Sequence, residues 1–491
     1  MKRVKKYFVV SVLSFIVYTF AFWFQGCEQD FLLPENVVRF PVAIETELNA
    51  SGCNATSCHN NEDQAGGLNL EDWTKTMNGT KNGAIIVPYS SFWSHFTAII
   101  NSDTNVAPVK SLLNPELDQF HKLSPEKVEF FMNYIDDGAK DVNGNVAHTS
   151  ISKKLFITNE GSDLLAVIDP DRFLLTRLVK LDDAQQLKAP HYVIADKAKD
   201  FVYVSMISGG QVLKIDANYP YTILGAANVG DNPAHIAISP DGTTGFVTNY
   251  NVAGVERDIR KFNTATMQVT DTLSDIRMTA THGIVISSDG QYIYTTASHG
   301  EWVFKISTAE LEIEYAVPMS PQVPPNGNGT GLIRPFDKKL SPDGNYLFVC
   351  CIGPANTTDN GVVKVYKSSD LQFVRDIEVG RSPLLLSFTP DGQQLWVCNR
   401  NSNSVSVIDV ATQTVIRTIP NVGLQPHGIV FSPDGQYAFI SNESLEGFNG
   451  HHPLVSSTSI GVNSIIRTSD YTVLQQVIET GSVPAGIILL D

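Results

Sequence analysis

The sequence predicts a small all-α domain followed by an all-β propeller of seven four-stranded blades, the ring closed by the C-terminal strand. Three observations carry that expectation. Asp-Gly turns recur as Pro240-Asp241-Gly242, Ser288-Asp289-Gly290, Pro342-Asp343-Gly344, Pro390-Asp391-Gly392 and Pro433-Asp434-Gly435, spaced 43 to 54 residues apart, which is the period of propeller blades. Around each turn lie four apolar, strand-like runs, as in Ile236 to Ser239, Gln394 to Cys398, Ser404 to Asp409 and Thr414 to Ile419. Finally, the unit beginning near Leu155 lacks the strand that should precede it, while Val483 to Leu490 is a strand without a blade. Joining the two removes the exposed edges of an open array.

A chain of 491 residues is too long for one core and calls for at least two domains. Residues 1–26 read as a signal peptide, 27–40 as a tether, 41–145 as the helical domain and 150–491 as the propeller. Lys2, Arg3, Lys5 and Lys6 form a basic start, and Tyr7 to Phe24 is almost entirely apolar, the pattern of an export signal; a single membrane anchor is the alternative. Phe24-Gln25-Gly26-Cys27 resembles a loose bacterial lipobox, which implies lipidation of Cys27. The acidic stretch after it resembles the tether of exported lipoproteins in some Gram-negative bacteria. That places the chain in the cell envelope, lipid-anchored to a membrane. A net charge of −16 argues against nucleic acid or an acidic lipid surface as partner. It suits a cationic redox partner protein or plain solubility.

In the helical domain Cys53 and Cys58 stand close together, and His59 follows directly. Two nearby thiols can each add to a vinyl group of one haem while the adjacent imidazole ligates the iron. Four residues separate the thiols, two more than usual. A Cys53–Cys58 disulfide and a zinc site are the rival readings. Ser124 is positioned to cap a helix that Pro125 opens, with Val128, Phe131, Met132 and Ile135 on one face. The segment from about 40 to 145 resembles the small monohaem cytochrome c domains of environmental bacteria, through the haem site, Ala65 to Leu70, Val87-Pro88 and this last helix. The resemblance implies covalent haem c on Cys53 and Cys58 with His59 as an iron ligand. The Met-Pro turn that usually supplies the sixth ligand is missing, which leaves His121 or His95, the thioethers of Met77 and Met132, or an open position. Asp141 to Thr149 reads as a linker.

The blades contain Leu155 to Asn159, Gly245 to Asn249, Tyr437 to Asn442 and Asn403 to Asp409. These runs resemble the YVTN-type propellers of bacterial surface and periplasmic proteins. Such likeness is specific for fold and weak for function. Cys350, Cys351 and Cys398 sit in apolar strand runs and read as buried free thiols. His191, His235, His282 and His427 fall at the same point of four repeats, the start of the innermost strand, so they should ring one mouth of the channel. Phe336, Leu384 or Leu385, and Ala485 take that place in the other blades, with Arg334 and His299 nearby. Converging imidazoles can hold a metal ion or a second haem; lining a water-filled channel is the plainer role. Asp289, Asp343, Asp391 and Asp434 are turn residues whose side chains satisfy local backbone groups.

Phosphate-binding, dinucleotide-binding and nucleophile-elbow motifs are missing. Three functions remain. One is an electron-transfer lipoprotein whose haem domain relays electrons to or from a partner or centre on the propeller. Another is an oxidoreductase centred on the His ring, since the domain order resembles the two-haem nitrite reductases, although those have eight blades. The third is a binding module or redox sensor. Catalytic residues are not assigned by any motif.

Overall fold

The computed structural model describes residues 38–102, 108, 122–182, 186–252, 256–355, 357–445 and 459–491. Residues 154–490 form seven four-stranded antiparallel sheets arranged as blades, with strands β1 (Lys154–Asn159) to β28 (Pro484–Leu490). In six sheets the strands run consecutively from the innermost outward. The innermost strands are β4 (Pro190–Ala195), β8 (Pro233–Ile238), β12 (Thr281–Ile286), β16 (Pro335–Leu340), β20 (Pro383–Phe388) and β24 (Pro426–Phe431). The seventh sheet joins both ends of the propeller in the order β28-β1-β2-β3, with Leu155 opposite Leu489 and Phe156 opposite Ile488. The expected closure by the C-terminal strand is therefore observed.

Local chemistry explains the turns. In all five repeats the Asp carboxylate accepts a hydroxyl two residues before it and a backbone N–H two residues after it, as Asp434 does from Ser432 Oγ at 2.6 Å and Gln436 N at 3.0 Å. The following glycine lies at φ +70 to +75°, as in Gly242 and Gly435, a region glycine enters without steric cost.

Every innermost strand begins the same way. The residue before it is a non-glycine with positive φ, from Arg334 at 46° to Gln425 at 58°. Its carbonyl accepts the N–H of the residue after the second strand, as in Tyr250 N to Asn232 O at 2.7 Å and Glu443 N to Gln425 O at 3.0 Å. One extra residue then bulges out of each innermost strand, shown by the paired shifts Pro190↔Met206 and Tyr192↔Ser205. A buried hydroxyl on the second strand ties this bulge to the next blade. Thr158 Oγ1 accepts from Gly486 N at 2.8 Å in its own blade and donates to His191 O at 2.9 Å in the next. Ser205 joins Tyr192 N to Ala234 O, Thr248 joins His235 N to His282 O, and Ser441 joins Gly428 N to Ala485 O.

Among the described residues the N-terminal segment contains four α-helices: α1 (Val42–Ala50), α2 (Trp73–Met77), α3 (His95–Ile100) and α4 (Pro125–Asp136). Val128, Phe131 and Ile135 of α4 are buried with Phe40, Leu48, Trp73 and Phe96 in one core. Pro125 opens α4 as expected, but the Ser124 side chain makes no capping bond to it. The expected linker is built into the structure, because Asp141 accepts from Asn143 N and Asn145 N, and His148 Nε2 lies 2.9 Å from Met77 O. Ala84, Val87 and Trp93 pack on Leu174, Leu175 and Leu178 of β3 (Leu174–Lys180) and Ile478 of β27 (Thr472–Thr480). The segment joining α2 to α3 thus covers the outer edge of the first and last blades. None of the helices among the described residues is long and apolar enough to cross a membrane.

Replacing Thr248 by Val leaves the His235 N–H and the His282 carbonyl buried without that partner. At about 1–3 kcal/mol for each such group, Thr248→Val should cost about 2–6 kcal/mol in urea unfolding at an unchanged slope. Thr248→Ser should recover most of it.

Candidate functional site

Two groups of chemically able residues emerge. The first is the loop after α1, where Cys53 is buried and Cys58 and His59 are half-buried. Neither cysteine is in a disulfide. Backbone bonds fold the loop back on itself: Cys53 N donates to Leu48 O, His59 N to Cys53 O at 3.1 Å, and Ala65 N to Cys58 O at 2.9 Å. Burial and the neighbouring Cys58 thiol push the Cys53 thiol up. His59 Nδ1 lies 3.0 Å from Ala65 O; donating there makes Nε2 the nitrogen that carries the lone pair. Imidazoles that ligate metals are commonly oriented in this way, through a backbone carbonyl on the other nitrogen. Two free thiols beside an imidazole so fixed are a donor set that fits covalent haem c.

The expected sixth ligands separate. His121 and Cys27 lie outside the described residues. His95 points at the propeller, its Nε2 2.8 Å from Glu479 Oε2 on β27, so its ring is engaged at the interface between helices and blades. Met77 is buried in the helical core and Met132 packs against it.

The second group lies in the propeller channel. His191, His235, His282 and His427 are all buried and do converge. The His191 ring centroid is 5.5 Å from His235, 5.4 Å from His282 and 5.5 Å from His427, and His235 is 4.5 Å from His282. One correction concerns register. His191, His282 and His427 directly follow the first residue of their strands, whereas His235 stands one residue further on, aligned with Tyr192. The bulge aims both of these adjacent positions inward, which is why the offset ring still joins the cluster. Tyr192 stacks on His235 at 4.0 Å and Phe336 lies 4.6 Å from His282. Leu384 and Leu385 are buried in the same apolar cluster as Phe336. Tyr250 lies 5.3 Å from His282 and 6.1 Å from His299; burial pushes the Tyr250 hydroxyl up against the opposing charge of Arg334, whereas burial and then that same charge pull His299 down.

Charged residues that the sequence reading did not single out surround the rings. His191 Nδ1 lies 2.5 Å from Glu160 Oε1, and His235 Nδ1 lies 3.5 Å from Asp337 Oδ1. Arg400 donates to Glu443 Oε2 from Nη2 at 2.6 Å and from Nε at 3.0 Å, both side chains 3 % exposed. Glu160, Arg400 and Glu443 each follow the second strand of a blade, in line with Tyr250. The available signal was positional: each directly follows the Asn that ends a signature strand. Burial pulls His235 down to about 3 against the opposing pull of Asp337, so the ring is neutral and able to ligate. Burial pushes the Asp337 carboxyl up, but the facing His235 ring and the charges of Lys339 and Lys338 outweigh it and hold it below the usual carboxylate range. Cys350, Cys351 and Cys398 are free and buried, and burial pushes their thiols up, the state of inert core cysteines.

Comparison with known proteins supports the fold. No family model and no curated protein matches the chain. Among solved structures, a protein of unknown function from Desulfotomaculum acetoxidans is 13% identical, over 68% of this chain and 98% of that one, at a TM-score of 0.52. A putative 6-phosphogluconolactonase from Bacteroides fragilis is 15% identical, over 71% of this chain and 100% of that one, at a TM-score of 0.52. Hydrazine synthase from Kuenenia stuttgartiensis is 17% identical, over 62% of this chain and 99% of that one, at a TM-score of 0.45. At such identities the likeness extends to the fold alone.

Lys338 is fully buried and donates from Nζ to Gly283 O. Burial, opposed by Asp337, pulls it from 10.5 to about 7. Between those values the unfolded chain holds a proton that the folded one has shed, so stability should rise with pH across that window. Melting temperatures from pH 7 to 10 should show the rise in the parent chain and its loss in Lys338→Met.

Proposed function

We propose that the protein is an electron-transfer lipoprotein of the bacterial cell envelope. It would carry haem c on Cys53 and Cys58 with His59 on the iron, and exchange electrons with a redox partner protein or with a centre on the propeller. The observation that carries this reading is the loop itself: two unbridged thiols and an imidazole whose Nδ1 is anchored on Ala65 O. The thiols would hold the porphyrin and His59 the iron, and the group would supply one-electron chemistry when bound. The chain's own part is to fix the imidazole through the Ala65 carbonyl and to place an apolar wall beside it, since Cys53 shares a core with Leu68, Leu70, Phe131 and Ile135. Cys27 would tether the chain by a lipid, and the YVTN-like propeller would serve as docking scaffold. The channel histidines favour a second reading, an oxidoreductase with its centre in the propeller.

When the chain is produced in a host with haem c maturation machinery, the peptide spanning residues 53–59 should gain the mass of one haem, and the pyridine haemochrome should show thioether linkage. Cys53→Ala with Cys58→Ala should lose both. A folded parent chain without the adduct overturns the proposal. Cys27→Ala should move the protein from the membrane to the soluble fraction and abolish labelling by a palmitate analogue; unchanged membrane retention would count against the lipid tether.

A further inference from the structure

The channel cluster has the construction of a metal site. His191, His235 and His282 each offer a ring nitrogen within 4.8 Å of the other two. Three donors so spaced share a point no more than about 2.8 Å from each, and zinc–imidazole bonds are about 2.0–2.1 Å. Closing on an ion therefore asks each ring to move by less than about 1 Å. Carboxylates stand behind two of the rings. Glu160 receives Nδ1 of His191, and Asp337 faces Nδ1 of His235, which turns each Nε2 lone pair away from the carboxylate. This is the outer-shell arrangement that orients metal-binding histidines.

An independent observation points the same way. His235 is 0 % exposed, and its Nε2 has no hydrogen-bond partner among the described residues. Leaving such a buried polar atom unsatisfied is costly, and native structures rarely do so without an ion or water. The donor set also selects the ion. Neutral imidazoles without a thiolate or a directly ligating carboxylate suit zinc and copper rather than magnesium or calcium.

We propose that His191, His235 and His282 bind a divalent first-row transition-metal ion, zinc or copper, inside the propeller channel, with Glu160 and Asp337 orienting the first two rings. The site belongs to the propeller and stands whether or not Cys53 and Cys58 carry haem.

The test uses the full chain carrying Cys53→Ala and Cys58→Ala, so that no haem iron is counted. After chelator treatment it is titrated with Zn²⁺ and, separately, with Cu²⁺ by calorimetry. One equivalent of at least one of the two ions should bind, with a first shell of imidazole nitrogens by X-ray absorption. Because Cu²⁺ outcompetes Zn²⁺ at most imidazole sites, metal analysis of the chain as purified, before chelation, identifies the resident ion. Asp337→Asn should weaken binding about 10–100-fold, and His235→Gln should weaken it further, with the metal-free circular dichroism unchanged. No saturable binding of either ion to the folded chain overturns the proposal, as does binding that survives both substitutions undiminished. Should His235→Gln not fold, the nitrogen-only first shell and the Asp337→Asn loss decide. Because the chain tested lacks the thioether thiols, a failure here is separate from any failure of the haem reading.

Discussion

A single buried hydroxyl at five of the seven blade boundaries organises the centre of this protein, Thr296 serving the boundary to Phe336 O. Thr158, Ser205, Thr248 and Ser441 each accept the bulge amide of their own blade and donate to the bulge carbonyl of the next. An innermost strand has a neighbour inside its sheet on one side only, so its bulged groups would otherwise be orphaned where water is excluded. A short side chain reaching both groups solves the problem for two blades at once. At the two boundaries lacking a hydroxyl, thiols occupy the position. Cys398 Sγ lies 3.7 Å from Gly428 O, a weaker contact, as sulfur's poor hydrogen bonding implies.

What the sequence made legible follows from distance along the chain. The Asp-Gly turns could be read because their bonds close within two residues, and the unmatched final strand because it is apolar and has no blade of its own. The convergence of histidines was also accessible through equivalent positions in successive repeats. His235 was assigned one residue out of register because Ala234 separates it from Pro233, and the bulge then disguises the offset by directing adjacent side chains inward. Glu160, Arg400 and Glu443 share one position after the signature Asn, but their partners, like that of Asp337, come from other repeats, so position alone does not reveal the pairing. His95 was equally hidden, as its carboxylate lies 384 residues further along, at Glu479. Nothing local distinguishes a haem-facing imidazole from one held by a distant blade.

Burial and charge together determine what the channel can do. Four imidazoles, two of them backed by carboxylates, are buried together in the channel, and there His235 stays neutral while Asp337 stays ionised. The Arg400–Glu443 pair keeps one more carboxylate neutralised nearby. Removing one member would strand the other as a buried charge, which is far worse than never having had the pair. Phe336 of β16 and Leu384 and Leu385 of β20 fill the side of the ring away from the histidines, whereas Ala485 of β28 stands between His427 and His191.

The helical segment rests, through the stretch between α2 and α3, on β3 and β27, strands that come from opposite ends of the propeller sequence and meet only when the ring is shut. During synthesis the helical segment emerges first, yet its berth is completed last, after the final strand has joined β1. Until that moment the nascent chain presents an incomplete surface to its own beginning. Assembly of the two parts is thereby ordered in time: the helices can fold early, but they can dock fully only on a finished ring.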